Sequence, residues 1–477
     1  MANLAERLSA ACARFADRIA LIDGDEEITY RTLAAIAGEV ADKLFHAGIQ
    51  ADEPVHLAVS NCARDLAGFF GIWLAGGVAV PVHRSSVART AAALAERTGA
   101  RLLVNMRPEL EAPAALAVDS PVARRGTPPP RPRPMLAGAA LIDVTSGSTG
   151  EPKGVVLAHD RFARKLDMID AEIRFAESER TLLVLQLTFV FGQWVSLLTL
   201  LRGGTLHLHT KFDAATVFRV LTQTPITRIA VVPTMLRALL PLIEGGRDTP
   251  YRGGVMAGGE PLPAPLGRRL RALWPDLQLG DIYGLTETGS CDFFVRPADY
   301  AAAAGSIGRP GAGIEFRLDP ENGELQIKTP TAMRGYLDAP GATAAAFADG
   351  WIRTGDLARV RAEGRLELVG RIKDLILRAG NKISPLELER VFAEHADVTA
   401  VLAAGHVDPG KGEAIHLFVV ARDGAKVDEA RLLAWARERL DRYKLPDRIH
   451  FGRDLPIGRT GKADRQALRD LIASGRL

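Results

Sequence analysis

Residues Asp143 to Val156 read "DVTSGSTGEPKGVV". Four hydroxyls, three glycines and a lysine fall between Thr145 and Gly154, a composition suited to holding an anion. Yet the stretch fails the common phosphate-loop pattern, which needs a glycine, four residues and then Gly-Lys-Ser/Thr. Here Lys153 follows Pro152 and precedes Gly154. Strand-like "ALIDV" leads in and strand-like "GVVLAH" leads out, so the loop joins two strands rather than a strand and a helix. Without a helix dipole behind it, a grip on phosphate has to come from backbone N–H groups and hydroxyls. Gly147 and Gly150 let the backbone turn inward. Thr145, Ser146, Ser148 and Thr149 supply donors, and Lys153 supplies a mobile point charge for outer phosphates. A flexible Ser/Gly turn has the same composition, so the loop alone leaves both readings open.

Outward from this loop, short apolar runs alternate with Ala- and Leu-rich helical stretches. "PVHLAVS", "GVAVPV", "ARLLVNM", "LLVLQL", "GTLHLH" and "RIAVVP" read as buried strands, and the alternation predicts an α/β architecture. With 477 residues the chain is too long for one core, which predicts at least two domains. The composition, 47% hydrophobic and 25% charged, is that of a globular protein, and a net charge of +3 gives no case for nucleic-acid binding. Three scattered cysteines, Cys12, Cys62 and Cys291, show no metal-ligand spacing and point to a reducing compartment, the cytoplasm. The N-terminal "MANLAERLSAACARFADRIA" has acids and no long apolar core, unlike a secretory signal. The uncharged run Thr181 to Leu201 is long enough to span a bilayer. Its polar residues and central Gly192 favour a buried strand, a break and a buried helix, so no membrane span is expected.

The proline-rich "PVARRGTPPPRPRPM", Pro121 to Met135, reads as an extended connector. After Ser306 the texture changes to alternating strands and turns, "GIEFRLDPENGELQIKT" and "GRLELVGR", as in a small β-barrel or sheet. From Ile372 a βαβ-like pattern resumes. The boundary is placed at Arg371, giving a large domain over 1–370 and a small α+β domain over 371–477. Arg431 to Leu477 holds 12 Lys/Arg and 6 Asp/Glu, a local charge of 12 − 6 = +6. A solvated helix surface accounts for that, and so does an acidic, thiol-bearing partner.

Six further segments change the odds on the loop. They are "AGGEPL" (Ala257–Leu262), "DIYGLTETG" (Asp281–Gly289), "GELQIKTPTAMRGY" (Gly323–Tyr336), "WIRTGDL" (Trp351–Leu357), "GRIKDLILRAGNKISPLELE" (Gly370–Glu389) and "PIGRTGKADR" (Pro456–Arg465). Together with "TSGSTGEPKG", and in this order, they resemble the adenylate-forming enzymes: acyl-CoA synthetases, carrier-loading adenylation domains and luciferases. The resemblance covers nearly the whole chain. It implies a large N-terminal domain of stacked α/β subdomains with a small β subdomain, and a mobile C-terminal domain.

The resemblance also implies roles. The loop Thr145–Gly150 with Lys153 would hold the phosphates of ATP. Gly258, Gly259 and Glu260 would shape one wall of the nucleotide site. Asp281 would accept from the adenine amino group and Tyr283 would stack on the base. Gly284 would leave room for the substrate carboxylate, Thr286 would donate to the α-phosphate and Glu287 would hold Mg²⁺. Asp356 would accept from the ribose hydroxyls, whose vicinal pair suits two carboxylate oxygens, and Arg371 would meet the same ribose. Lys373 occupies the hinge position, and Gly380 would line a channel for the pantetheine thiol. Lys462 would be catalytic: a carboxylate and the α-phosphate are both anions, and a cation between them offsets their repulsion and the charge that grows in the transition state.

The implied reaction is attack of a carboxylate on ATP to give an acyl-adenylate and pyrophosphate, followed by domain rotation and thioester formation. Phe189 stands where many members of the family carry a histidine, with Phe191 nearby and a small Ala257 in the next wall. This favours an apolar acid and does not separate a fatty acid from an aryl acid; aromatics here suit core packing equally well. The acceptor is CoA or the phosphopantetheine of an acidic carrier protein. The rival readings are a stand-alone enzyme that loads such a carrier, a catalytically silent nucleotide-binding protein on the same fold, and an ordinary ATPase. The absent Gly-Lys-Ser/Thr run argues against the last.

Overall fold

The computed structural model describes residues 3–86, 88–109, 121–124, 133–146, 152–246, 250–422, 424–458 and 462–477. The quoted stretch begins and ends in paired strands. Strands Ala139–Ser146 and Pro152–Ala158 pair antiparallel, with Thr145 opposite Lys153. Gly147, Ser148, Thr149 and Gly150 lie outside the described residues, as does the side chain of Ser146.

The hairpin belongs to a seven-stranded sheet centred on Pro54–Val59 and Val78–His83, which run parallel. A nine-stranded sheet faces it. In that sheet Thr205–Leu208, Arg180–Leu183, Arg228–Val231, Gly254–Gly258 and Gln278–Tyr283 lie side by side and parallel. Each is buried from its second residue on, the terminal Tyr283 apart, and mostly apolar there, as expected of strands covered on both faces. One continuous core joins the two sheets. At its centre the helix Val190–Leu201 is buried on nearly all sides, with Trp194 at 0% exposure and the polar Gln193, Ser196 and Thr199 buried too, as expected of a helix between two layers. The long uncharged run is thus strand, break and helix, and no helix among the described residues is long and apolar enough to cross a membrane.

A third sheet of five strands is antiparallel where it can be followed, from Glu315–Leu318 through Glu324–Lys328 and Trp351–Val360 to Leu366–Arg371. From Ile376 onward the chain builds a separate sheet of five strands with its own cores. Ile415, Leu417 and Val419 face the helices Pro385–Ala393 and Glu429–Arg437, while Leu402 and Phe418 face the helix Arg465–Ala473. Between the third and fourth sheets lies only a short turn, Ile372–Asp374. In the connector, Val122–Arg124 joins the sheet as an edge strand against Leu102–Asn105, and residues 125–132 lie outside the described set.

One local expectation fails. "IYGLTE" suggests a strand, a tight turn and a helix. Instead Thr286–Thr288 forms a single 3₁₀ turn, closed by Gly289 at φ 79°. The Ser290 N–H then returns to the Leu285 carbonyl at 2.8 Å, so the chain folds back on itself rather than continuing into a helix.

Candidate active site

The three N-terminal sheets and the C-terminal domain enclose one large cleft with a volume of about 3520 Å³. Thr145, Lys153, Phe189, Gly259, Glu260, Asp281, Tyr283, Gly284, Thr286, Glu287, Asp356, Arg371, Lys373 and Lys462 all line it. They come from every part of the chain, and the fold brings them to one surface.

On one wall, polar groups are paired with one another. The Tyr283 hydroxyl donates to Asp356 Oδ2 at 2.7 Å, and Arg371 Nε donates to Asp356 Oδ1 at 2.5 Å. Tyr283 is the last residue of Gln278–Tyr283, while Asp356 and Arg371 face each other across adjacent strands of the third sheet. Enclosure in the cleft works against the charge on Arg371, but the hydrogen bond and charge of Asp356 outweigh it and raise the guanidinium pKa. Asp281 is 5% exposed. Burial holds its carboxyl well above the ordinary 3.8, against the N–H groups of Ile282 and Leu262, which favours the neutral acid; its carbonyl oxygen stays an acceptor.

The 3₁₀ turn presents Thr286 and Glu287 to the cleft and is held from behind. Thr288 donates to Asp292 Oδ2, and Lys165 Nζ stands 2.7 Å from Asp292 Oδ1 with both charged side chains at 0% exposure. The Thr331 hydroxyl donates to the Thr288 carbonyl at 3.0 Å and the Met333 N–H to the Glu287 carbonyl at 2.7 Å. Gly284 is required here for a reason the sequence does not reveal. A Cβ on it would stand 2.3 Å from the backbone nitrogen of Cys291, so the refolded turn needs a glycine whatever ligand it meets.

Lys462 enters from the C-terminal domain. A Cβ on Gly259 would stand 2.9 Å from Lys462 Cε and 3.0 Å from its Nζ, so the lysine tip fills the space that Gly259, at φ +84°, leaves open. Desolvation pushes the ammonium pKa down from the ordinary 10.5; nearby Glu260 opposes the fall and Arg371 adds to it. Glu260 itself is fixed by Thr234, whose hydroxyl donates at 2.5 Å. Beyond the Arg371–Asp356 pair at the boundary, Arg390 pairs with Glu367, and Arg422 with Glu244 at 3.6 Å, across the domains in this arrangement. Lys373 sits in the short turn between the sheets. Gly380, at φ +81° on the tip between Ile376–Arg378 and Asn381–Ile383, does not line the cleft.

The remaining sequence-derived residues divide. Phe189 precedes the helix Val190–Leu201 and is 37% exposed toward the cleft. Phe191, the second residue of that helix, stacks on Trp194 at 5.5 Å between centroids and packs against the core. Ala257 is 0% exposed within its strand, and Gly258 is packed against Ile282; neither lines the cleft. The structure thus places Phe191 and Ala257 in the packing behind the cleft wall, because a residue on a helix or strand buried on both faces points into a layer rather than into the opening.

Sequence reading also passes over several residues. Tyr336 ends a quoted motif, and that position was its only signal; here its hydroxyl donates to Glu287 Oε1 at 2.8 Å. Lys165 and Asp292 carry no local pattern. Among the described residues, no group of three or more His, Cys, Asp and Glu side chains is arranged to hold a metal ion.

Comparison with known proteins adds to this geometry. The family model for AMP-binding enzymes matches residues 8–337, and the model for the AMP-binding enzyme C-terminal domain matches residues 387–462. The chain is 33% identical over 458 residues to a feruloyl-CoA synthase from Amycolatopsis sp., covering 92% of this chain and 93% of that one. It is 30% identical to a 2-succinylbenzoate–CoA ligase from Bacillus licheniformis, covering 95% and 96%. Its fold matches the o-succinylbenzoate CoA synthetase of Bacillus subtilis, solved with an acyl-adenylate intermediate, with a TM-score of 0.81, 25% identity and 98% of each chain covered.

Proposed function

The chain belongs to the AMP-binding enzyme family, and we propose the following account of how its own residues carry out the chemistry. It is an AMP-forming acid–thiol ligase that activates a carboxylate as an acyl-adenylate and transfers the acyl group to CoA. The observation that carries the residue assignments is the position of Lys462, against Gly259 and beside Glu260 in the same cleft as Asp356, Tyr283 and Glu287.

In the first step a carboxylate oxygen attacks the α-phosphorus of ATP and pyrophosphate leaves. Tyr283 and Asp281 receive the adenine, and Asp356 with Arg371 receives the ribose. Thr145, Lys153 and the loop residues 146–150 receive the outer phosphates, with Thr286 on the α-phosphate. Lys462 stands between the two reacting anions. Its charge counts for more in a water-poor cleft than in solvent, and the two reactants are already held in place. Glu287 suits Mg²⁺, which binds through one or two carboxylates and keeps phosphates and waters as its other ligands. Only its Oε1 is engaged by Tyr336, and a carboxylate has a second oxygen. Bound there, the ion would supply positive charge to the phosphates.

In the second step the CoA thiol attacks the acyl carbon and AMP leaves. Lys462 is then no longer needed. The turn at Lys373 lets the domain over 371–477 rotate against that over 1–370 and bring the Gly380 loop to the cleft. The position of Gly380 outside the cleft while Lys462 is inside supports this division of labour.

The acid is apolar, and an aryl acid fits best. Phe189 gives the wall an aromatic face, and two relatives are named for feruloyl and 2-succinylbenzoyl substrates. The three cysteines are all free and buried, in keeping with a reducing cytoplasm. The test is ATP–pyrophosphate exchange over a panel of aryl and fatty acids, followed by thioester formation from the best acid with CoA or with an acidic carrier protein. Exchange with an aryl acid and transfer to CoA are expected. No acid-dependent exchange across the panel, in a protein that binds Mg·ATP, would reject the reading.

A further inference from the structure

Tyr336 touches both charged groups that the first step needs on the outer phosphates. Its hydroxyl donates to Glu287 Oε1 at 2.8 Å, and Lys153 Nζ stands 4.9 Å from the centroid of its ring. The tyrosine is 7% exposed, and its backbone leaves little freedom. Gly335 and Tyr336 pair with Val156 and Val155 of the phosphate-hairpin strand, so Tyr336 lies diagonally across from Lys153 on one face. The Leu337 N–H donates to Gly154 and the Arg334 N–H to Val156, at 2.8 and 2.9 Å. The Tyr336 N–H donates to Thr343 Oγ1 at 2.9 Å. The ring is therefore fixed to the strand that carries Lys153, and its far end reaches the turn that carries Glu287.

A lysine and a glutamate opening into one cleft attract each other, and a direct ion pair would close the place where phosphate and metal have to enter. Here each has another partner. The carboxylate is satisfied at one oxygen by a neutral donor, and the ammonium rests on an aromatic face, which attracts a cation without neutralising it.

We propose that Tyr336 is a positioning residue for Mg·ATP: it aims Glu287, supports Lys153, and keeps the two apart until the polyphosphate and its metal separate them. The inference rests on the reading of this cleft as an ATP site, and it assigns Tyr336 to the outer phosphates alone. The base, the ribose and the thiol-transfer step lie outside its reach.

The test uses the full chain, with Tyr336→Phe and Tyr336→Leu. Binding of a non-hydrolysable Mg·ATP analogue and of AMP is measured by calorimetry, and thioester formation is measured from supplied acyl-adenylate and CoA. Tyr336→Phe keeps the ring and loses the donor to a charged acceptor; it is expected to weaken the analogue about tenfold and to raise the Mg²⁺ needed for half-maximal exchange. Tyr336→Leu also loses the ring and is expected to weaken the analogue about threefold more. AMP affinity and thioester formation should stay at wild-type values in both. Equal weakening of AMP and analogue, or no change in either, would overturn the proposal. If the Leu variant does not fold, the Phe variant alone decides through its analogue-to-AMP ratio. Failure of the ligase reading would show separately, as wild-type protein that binds the analogue but exchanges with no acid.

Discussion

The two walls of the cleft differ in how their side chains are held. On the wall assigned to the nucleotide, Asp356 accepts from Tyr283 and Arg371, and Glu287 accepts from Tyr336. A buried ion pair, Lys165 with Asp292, braces the turn behind them. On the acyl side, Phe189 stands 37% exposed, and Phe191 and Ala257 lie behind it in the core. A wall of prearranged dipoles loses little on binding and suits a ligand that never changes. An apolar wall sets only shape, and discriminates modestly.

The largest effect should come from the group that serves one step alone. Lys462→Ala is expected to slow adenylate formation about a thousandfold, while thioester formation from supplied acyl-adenylate stays near wild type; separate assays of the two half-reactions decide this. Equal loss in both would remove the distinction between the steps. The pH profile sharpens the same point. Desolvation lowers the Lys462 pKa below 10.5, so the ammonium form is lost earlier than for a free lysine as pH rises. Adenylate formation should therefore fall on its alkaline side below pH 10.5, without a matching fall in thioester formation.

Next in size is the brace. Lys165→Met leaves the carboxylate of Asp292 buried without its partner and should cost about 3 kcal/mol in urea unfolding. Replacing both, as Lys165→Met with Asp292→Leu, should restore most of the stability while the KM for ATP remains raised, because the turn is no longer held in place. Full recovery of both quantities would show that the pair serves folding alone. The smallest effect belongs to the acyl wall. Phe189→Leu should change the preference between aryl and fatty acids by about tenfold at most and leave the KM for ATP unaltered. A change in ATP use would join the two walls that the structure separates.

The contrast also explains what the sequence could convey. The hairpin around residue 147, the buried strands and the C-terminal domain were legible because apolar runs and turn residues report burial directly. Asp356, Glu287 and Lys462 were picked out by the resemblance of the segments that hold them, and the fold brings all three to one cleft. The Thr286–Thr288 turn was misread as the start of a helix, because its shape depends on Thr288, Asp292 and Lys165 meeting across 127 positions of chain. Tyr336 and Lys165 were silent for the same reason: their partners are distant in sequence, and no local pattern marks them. Phe191 lies two residues past Phe189, about half a helical turn, which takes it from the opening to the core.

Gly259 leaves room for a methyl group and fills it with the tip of a lysine from another domain. An alanine there would press on the flexible end of Lys462, with Val232 Cγ1 in ordinary contact at 3.5 Å, in a backbone conformation that favours glycine. The lysine would be evicted with its charge intact, while the rest of the protein stayed assembled. On the role proposed for Lys462, its charge is therefore admitted by a keyhole, and the residue that shapes the keyhole would govern a reaction in which it takes no part.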